Sequence, residues 1–300
     1  MREIGDIVRE FERHRGEPLA LATLVQTRGS SYRRPGARML ITREGNAVGS
    51  LSGGCLEEEV VARAREVLRT GTPALMEFDT RRRFGCNGAL EILVERVRES
   101  FLAELAEHFH TRRPCLIATA FAGVCGSRIL RSADEARGDE LLQVIEPPPQ
   151  LLIIGDGPDS VALRAFAETL GWTVRPMDSA SELDGPYDSW TAAVVKTHNF
   201  GRDFAALRTL LPLDLRYIGL IGPRARREQL LGDLLDTGIA AGPNLFAPAG
   251  LALGGDAPEA IALAIVAEIQ AVFAAGSGQS LRDRKTPIHA PRGESVAATL

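Results

Sequence analysis

The sequence predicts an α/β protein in two parts: an N-terminal mixed α/β domain and a C-terminal Rossmann-like, doubly wound parallel sheet. Three observations predict it. From residue 151 onward, short apolar runs alternate with helical ones, the pattern of a parallel sheet covered on both faces. The first such run, Leu151-Leu152-Ile153-Ile154, feeds directly into the glycine turn Gly155-Asp156-Gly157-Pro158-Asp159-Ser160. Just before it, Glu146-Pro147-Pro148-Pro149-Gln150 interrupts the chain. Three prolines cannot continue a sheet interior and make a stiff connector. These signals divide the chain into a domain over 1–146, a second over 151–275, and a polar, flexible tail over 276–300.

In the first domain, Ile4, Ile7, Val8 and Phe11 share one face of a helix over 2–14. Residues 19–27 read as a strand, and their almost wholly apolar character places it centrally in a sheet. Residues 37–42 and 47–51 form a hairpin around Glu44-Gly45-Asn46. A helix follows Cys55, with Leu56, Val60, Ala64 and Val67 on one side. Glu57, Glu58 and Glu59 fill its first turn and Gly71 stops it, as the helix dipole and C-cap rules prefer. Strands follow over 73–79 and 89–97, then a helix over 101–110. Three further strands are expected over 115–121, 127–131 and 141–145.

In the second domain the expected order is strand 151–154, helix 161–170, strand 172–177, strand 191–197, helix 202–211, strand 216–221 and helix 224–235. A long final helix runs over 258–274, with Pro258 at its first position.

Composition narrows the function classes. Three hundred residues at 45% hydrophobic content are enough for about two globular cores. A net charge of −4 gives no electrostatic case for nucleic acid or an anionic membrane. No apolar run approaches the ~20 residues of a membrane span, and Met1-Arg2-Glu3-Ile4 opens a charged helix, not a signal peptide. Cys55, Cys86, Cys115 and Cys125 form no C-x-x-C pair and do not resemble a secreted disulfide framework. The expectation is a cytoplasmic protein.

Three polar loops of the first domain share one chemistry. Ser30-Ser31-Tyr32-Arg33-Arg34 supplies hydroxyls and cations. Ser52-Gly53-Gly54-Cys55 supplies amides and a thiol, and Arg81-Arg82-Arg83-Phe84-Gly85-Cys86-Asn87-Gly88 supplies all three. Each loop leaves or enters a strand, so they can converge at one end of a sheet around an anionic, thiophilic ligand. Paired glycines before a helix start aim backbone N–H groups at one spot and favour a lowered pKa for Cys55. Cys55 is therefore a candidate nucleophile, sulfur carrier or soft-metal ligand. The competing reading is a buried cysteine filling a strand-to-helix corner. Cys115 and Cys125 lack such surroundings and read as packing residues.

In the second domain Gly155 and Gly157 stand at two of the three dinucleotide-fingerprint positions, and Ser160 replaces the third. Asp178, 23 residues after Gly155, is close to the place of a ribose-binding acid. Asp156 and Asp159, however, put negative charge where a pyrophosphate would sit. Bound NAD(P) or FAD and a scaffold with a degraded nucleotide site both remain open. His198 ends a strand at the sheet's ligand-binding edge, as a catalyst or as a hydrogen-bonded turn residue. Arg224, Arg226 and Arg227 crowd a helix start, where cations are unfavourable. That calls for an anionic partner or a nearby acid, Glu228 being the nearest in sequence.

Together these residues resemble the XdhC/CoxI family. The resemblance rests on Gly29-Ser30-Ser31-Tyr32-Arg33-Arg34-Pro35-Gly36, Ser52-Gly53-Gly54-Cys55-Leu56-Glu57, Phe84-Gly85-Cys86-Asn87-Gly88 and Gly155-Asp156-Gly157-Pro158-Asp159. Thr197-His198-Asn199 and Tyr217-Ile218-Gly219-Leu220-Ile221-Gly222 continue it, in order, over about 4–269. It implies an accessory protein that binds the molybdenum cofactor (molybdopterin), protects it, helps sulfurate it with a cysteine desulfurase, and passes it to a xanthine dehydrogenase-type molybdoenzyme. It also implies a homodimer. By that resemblance Cys55 lies at the cofactor site, approaching molybdenum or relaying sulfur, with Cys86 as second candidate. Many members carry Cys-Gly-Gly where this chain has Cys86-Asn87-Gly88. Ser52, Gly53, Gly54, Arg33, Arg34 and Asn87 complete the expected site, with the arginines and the glycine amides holding the phosphate.

Two function classes follow. The favoured one is a molybdenum-cofactor chaperone with no turnover of its own. The alternative is an NAD(P)-dependent oxidoreductase using Gly155, Gly157, Asp178 and His198.

Overall fold

A computed structural model describes residues 2–29, 31–79 and 88–283. Its chain forms two compact units, one up to Pro147 and one from Pro148.

The first unit starts with helix α1 (Arg2–Arg13), which buries Ile4, Ile7, Val8 and Phe11. Strands β1 (Ala20–Gly29), β2 (Arg38–Ile41) and β3 (Ala47–Gly49) follow, then helix α2 (Glu57–Thr70). Strands β4 (Ala74–Asp79) and β5 (Gly88–Arg96) complete an antiparallel sheet of order β3-β2-β1-β5-β4. β1 is central, and its first six residues are buried.

Alternate β1 residues serve opposite cores, as the two-residue period of a strand requires. Ala20, Ala22 and Leu24 pack with Leu56, Val60, Ala64 and Val67 at the α2 side. Leu19 and Leu21 face the other way, toward α1 and helix α3 (Glu99–His110). That second core includes residues of a smaller sheet, Cys115, Ile117 and Ile145. The smaller sheet has the order β7-β6-β8, formed by β6 (Cys115–Ala120), β7 (Gly126–Leu130) and β8 (Glu140–Ile145). Gly71 ends α2 in the left-handed region (φ 74°), its N–H bonding to Val67 O at 2.8 Å.

A buried polar layer joins the two sheets. Glu95, 6% exposed, accepts from the Ser127 hydroxyl at 2.6 Å and the Ser127 N–H at 3.1 Å. Burial pushes its carboxyl above the ordinary range, although both Ser127 bonds and the charges of Arg38 and Arg98 pull it down. Arg38 is wholly buried and donates to Gly36 O at 3.0 Å and to Gln143.

The second unit is an all-parallel sheet of order β10-β9-β11-β12-β13. Its elements are β9 (Gln150–Ile154), α4 (Pro158–Thr169), β10 (Thr173–Met177), β11 (Thr191–Val195) and α5 (Phe200–Leu210). They continue with β12 (Tyr217–Leu220), α6 (Arg224–Asp236), β13 (Leu245–Phe246) and α7 (Pro258–Phe273). β9 and β11 contribute Leu151, Ile153, Ala192 and Val194 to one core with α4 and α7. Leu152, Ile154, Ala193 and Val195 enter the opposite core with α5 and α6. Strand order reverses between β9 and β11, which puts the ligand crevice of such folds above their carboxyl ends. β13 is absent from the sequence expectation, because two residues carry no readable period. Helix α4 begins at Pro158, earlier than its apolar pattern indicates, with proline in the first turn.

Candidate functional site

The strands of the first unit bring several of their ends to one end of the larger sheet. Gly29 pairs with Gly88, Asp79 with Ala89, and Met39 with Gly49. The stretches 31–36 and 50–56 therefore open on the same side, where β4 ends at Asp79 and β5 begins at Gly88. Ser30, Cys86 and Asn87 lie outside the described residues.

The Cys55 loop is built by two buried leucines and one carboxylate. β3 ends at Gly49 (φ 94°), where a Cβ would sit 2.2 Å from Arg38 O, so only glycine lets the strands close there. Leu51 and Leu56 are both fully buried in the α2-side core. Between them Gly53, Gly54 and Cys55 are exposed, and a Cβ on either glycine would meet nothing within 4 Å.

Glu57, in the first turn of α2, folds back over the loop. Its Oε1 accepts from Ser52 N at 3.0 Å, Leu51 N at 3.3 Å and Ser50 Oγ at 3.2 Å. Its Oε2 accepts from Ser52 Oγ at 2.8 Å and Leu56 N at 3.0 Å. Burial would raise the Glu57 pKa, but the Ser52 hydroxyl and the backbone N–H donors outweigh it and hold the carboxyl below its ordinary value.

Five backbone donors of this turn, those of Leu51, Ser52, Gly54, Cys55 and Leu56, thus meet the chain's own groups. The Gly54 and Cys55 N–H groups reach Ser52 Oγ at 3.2 and 3.3 Å. The Cys55 thiol donates to the same oxygen at 3.7 Å, making a thiol–hydroxyl–carboxylate line from Cys55 through Ser52 to Glu57. Sequence reasoning assigns Glu57 only to the helix dipole. The five-residue Ser52-to-Glu57 spacing matches no capping box, and its signal is the serine-rich turn directly before an acid.

Of the two arginines expected beside this loop, Arg33 is half-buried and paired with Glu3 of α1. The other oxygen of Glu3 accepts from Arg38 N at 2.9 Å. Arg34 is exposed. Cys115 is buried, which pushes its thiol up to about 11 against the opposing pull of Arg38. Cys125 is not the packing residue expected. It is partly exposed in the β6–β7 turn, beside a Val124 that is almost wholly exposed, because the hairpin tip extends past the sheet's core. Among the described residues no group of three or more His, Cys, Asp or Glu is placed to hold a metal ion. No helix there is long and apolar enough to cross a membrane.

In the second unit Gly155 (φ 105°) and Gly157 (φ 146°) make the first βα turn. A Cβ on Gly155 would lie 2.8 Å from Thr197 Cα, so the turn packs directly on the segment after β11. That segment holds a residue that sequence reasoning misses. Lys196, wholly buried, pairs with Asp159 Oδ1 at 2.7 Å and donates to Ser160 Oγ at 2.8 Å. Its signal is a lysine directly after a run of buried strand residues. Asp156 Oδ1 accepts from Gly157 N at 2.7 Å.

Asp178 follows β10 and is exposed, its carbonyl accepting from Arg202 and its N–H donating to Glu182 at 2.8 Å. His198 is exposed in the left-handed region (φ 55°), which histidine adopts more readily than most residues. Its neighbour Thr197 is fastened to buried Asp203 by its N–H at 3.1 Å and its hydroxyl at 2.5 Å. Asp203 also takes Arg226, so the arginine-rich helix start has an internal acid from α5, not its sequence neighbour Glu228.

A family model described as the XdhC and CoxI family matches residues 12–79, and one described as the XdhC Rossmann domain matches residues 151–269. A Bacillus subtilis protein, named as a probable component of xanthine dehydrogenase, is 30% identical, over 84% of this chain and 92% of its own. The Escherichia coli protein "Molybdenum cofactor insertion chaperone PaoD" is 23% identical, over 86% of this chain and 84% of its own. A crystal structure from Bacillus halodurans, described as a xanthine dehydrogenase, superposes with a TM-score of 0.77. It covers 93% of this chain and 98% of its own at 22% identity, which shows a shared fold.

Proposed function

The chain belongs to the XdhC and CoxI family, and from that premise we propose that it carries the molybdenum cofactor as cargo and passes it to a xanthine dehydrogenase-type enzyme. The name of the Escherichia coli relative, a molybdenum cofactor insertion chaperone, supports this reading. The observation that carries it is the exposed Cys55 thiol, standing on an open glycine tip between two buried leucines.

A dithiolene-bound metal and a terminal sulfur need a soft donor in reach, and an exposed thiol supplies one. Were Cys55 to ligate the metal as thiolate, or to attack the outer sulfur of a desulfurase persulfide and release that enzyme's thiolate, its proton would have a path to Ser52 Oγ and onward to Glu57. The Glu57 carboxylate already holds nearby amides, so the cations of this loop cluster, Arg33 and Arg34, are the candidates for the cofactor's phosphate, Arg33 also pairing with Glu3. Cys86 and Asn87 complete the reading from the third loop. Sulfuration together with a cysteine desulfurase, a homodimeric state and a cytoplasmic setting belong to the same proposal and rest on the family.

The test is purification from cells with an intact cofactor pathway, followed by molybdenum and pterin analysis. Wild type is expected to carry both, and Cys55→Ala to carry at least about tenfold less, equivalent to about 1.4 kcal/mol of cargo affinity. Equal cargo in the two proteins would remove Cys55 from the site.

A further inference from the structure

The Rossmann-like unit has the β9/β11 reversal of strand order, the glycine turn and an acid at the ribose position, as a nucleotide-binding doubly wound sheet does. The place where such a fold takes a phosphate is the N-terminus of the first helix, through free N–H groups, the helix dipole and the open face of the second glycine. Here each of those features is engaged from within. The N–H of Gly157 donates to Asp156 Oδ1 at 2.7 Å. The open face of Gly157 is met by Lys196 Nζ, 3.1 Å from where a Cβ would stand. Asp159 supplies the anion at the first turn of α4, and Lys196 neutralises it at 2.7 Å while also donating to Ser160 at 2.8 Å.

We infer that the Lys196–Asp159 pair is a built-in substitute for a ligand phosphate, and that this unit does not hold NAD(P) or FAD in the usual position. Two charges decide it. A pyrophosphate entering the turn would approach Asp156 and Asp159 and have to displace Asp159 from a cation that is wholly buried. Like charges at that range are repelled, and a buried cation does not follow the ligand out into solvent. The fold is kept and its anion site is closed. The inference is independent of the cargo reading, since it concerns a different unit and different residues.

The experiment uses the full chain with NADH, ADP-ribose and inorganic phosphate as probes, read by calorimetry and by the shift in Tm. The wild type is expected to show no saturable binding of NADH or ADP-ribose tighter than about 1 mM. Asp159→Ala frees Lys196 and the helix terminus, and Asp159→Asn, which keeps the size of the side chain, covers the case in which the alanine variant does not fold. At least one of these variants is expected to gain a phosphate-dependent rise in Tm that the wild type lacks. Saturable NADH binding by the wild type, weakened by Asp178→Ala, would overturn the inference. Variants as indifferent to phosphate as the wild type would overturn it too, because the pair would then not be what closes the site.

Discussion

Ser52 meets Glu57 twice, its hydroxyl donating to Oε2 at 2.8 Å and its backbone N–H donating to Oε1 at 3.0 Å. Both carboxylate oxygens therefore face N–H donors, since Oε2 also takes Leu56 N. Glutamine cannot imitate this, because its amide would turn an NH₂ toward one of them. Glu57→Gln and Glu57→Ala are both expected to destabilise the chain by about 2–3 kcal/mol, the loss of hydrogen bonds to a charged acceptor. Hydrogen exchange should localise the change to residues 50–57, leaving the Rossmann-like unit unaltered.

The described cysteines should separate by reactivity. Burial raises the Cys115 thiol to about 11, roughly two units above an ordinary cysteine, which lowers its thiolate fraction about 100-fold at pH 8. Iodoacetamide is expected to label exposed Cys55 first and to leave Cys115 untouched until denaturant is added. Mass spectrometry of the two peptides over time reads the order directly.

Lys196 and Asp159 test the interior of the second unit. Removing one member of a buried pair leaves an uncompensated charge, so Asp159→Ala should cost about 3–5 kcal/mol. The double variant Lys196→Met with Asp159→Ala removes both charges and should recover most of that loss. Urea denaturation of the three proteins checks it, and a double variant no better than the single would refute the pairing energy.

Glu95 gives a pH dependence of definite sign. Its folded pKa lies above the unfolded value because burial outweighs Ser127, Arg38 and Arg98, so the folded state binds the proton more tightly. Stability from this group is full below the unfolded carboxylate pKa and declines as pH rises through the raised folded value. Glu95→Gln should flatten that decline and keep both Ser127 contacts, one as acceptor and one as donor. Glu95→Ala should instead cost about 1–3 kcal/mol by orphaning the Ser127 N–H. Unfolding free energy measured between pH 4 and pH 8 distinguishes the three.

How much of this was legible depended on the range of the interaction. β1 could be placed at the sheet centre from its own residues, because a strand packed on both faces is apolar at consecutive positions. α2 announced both of its ends through Glu57 to Glu59 and Gly71. The status of Cys55 was not legible, since the same glycine turn serves a buried corner or an exposed tip. Leu51 and Leu56 decide it, and only packing shows that both enter the core. The Lys196–Asp159 and Arg226–Asp203 pairs join different elements across the sheet edge, which a single sequence cannot register. The Gly157 turn was readable as a nucleotide fingerprint, whereas its filling by a lysine 39 positions later was not.

One consequence belongs to the carboxylate inside the Cys55 turn. Because the anion that organises those amides is covalently part of the next helix, the turn needs no solute to acquire its shape. Its conformational entropy is surrendered when the chain folds and not when a visitor arrives, so docking at the tip meets a rigid edge and should proceed with little rearrangement of the backbone.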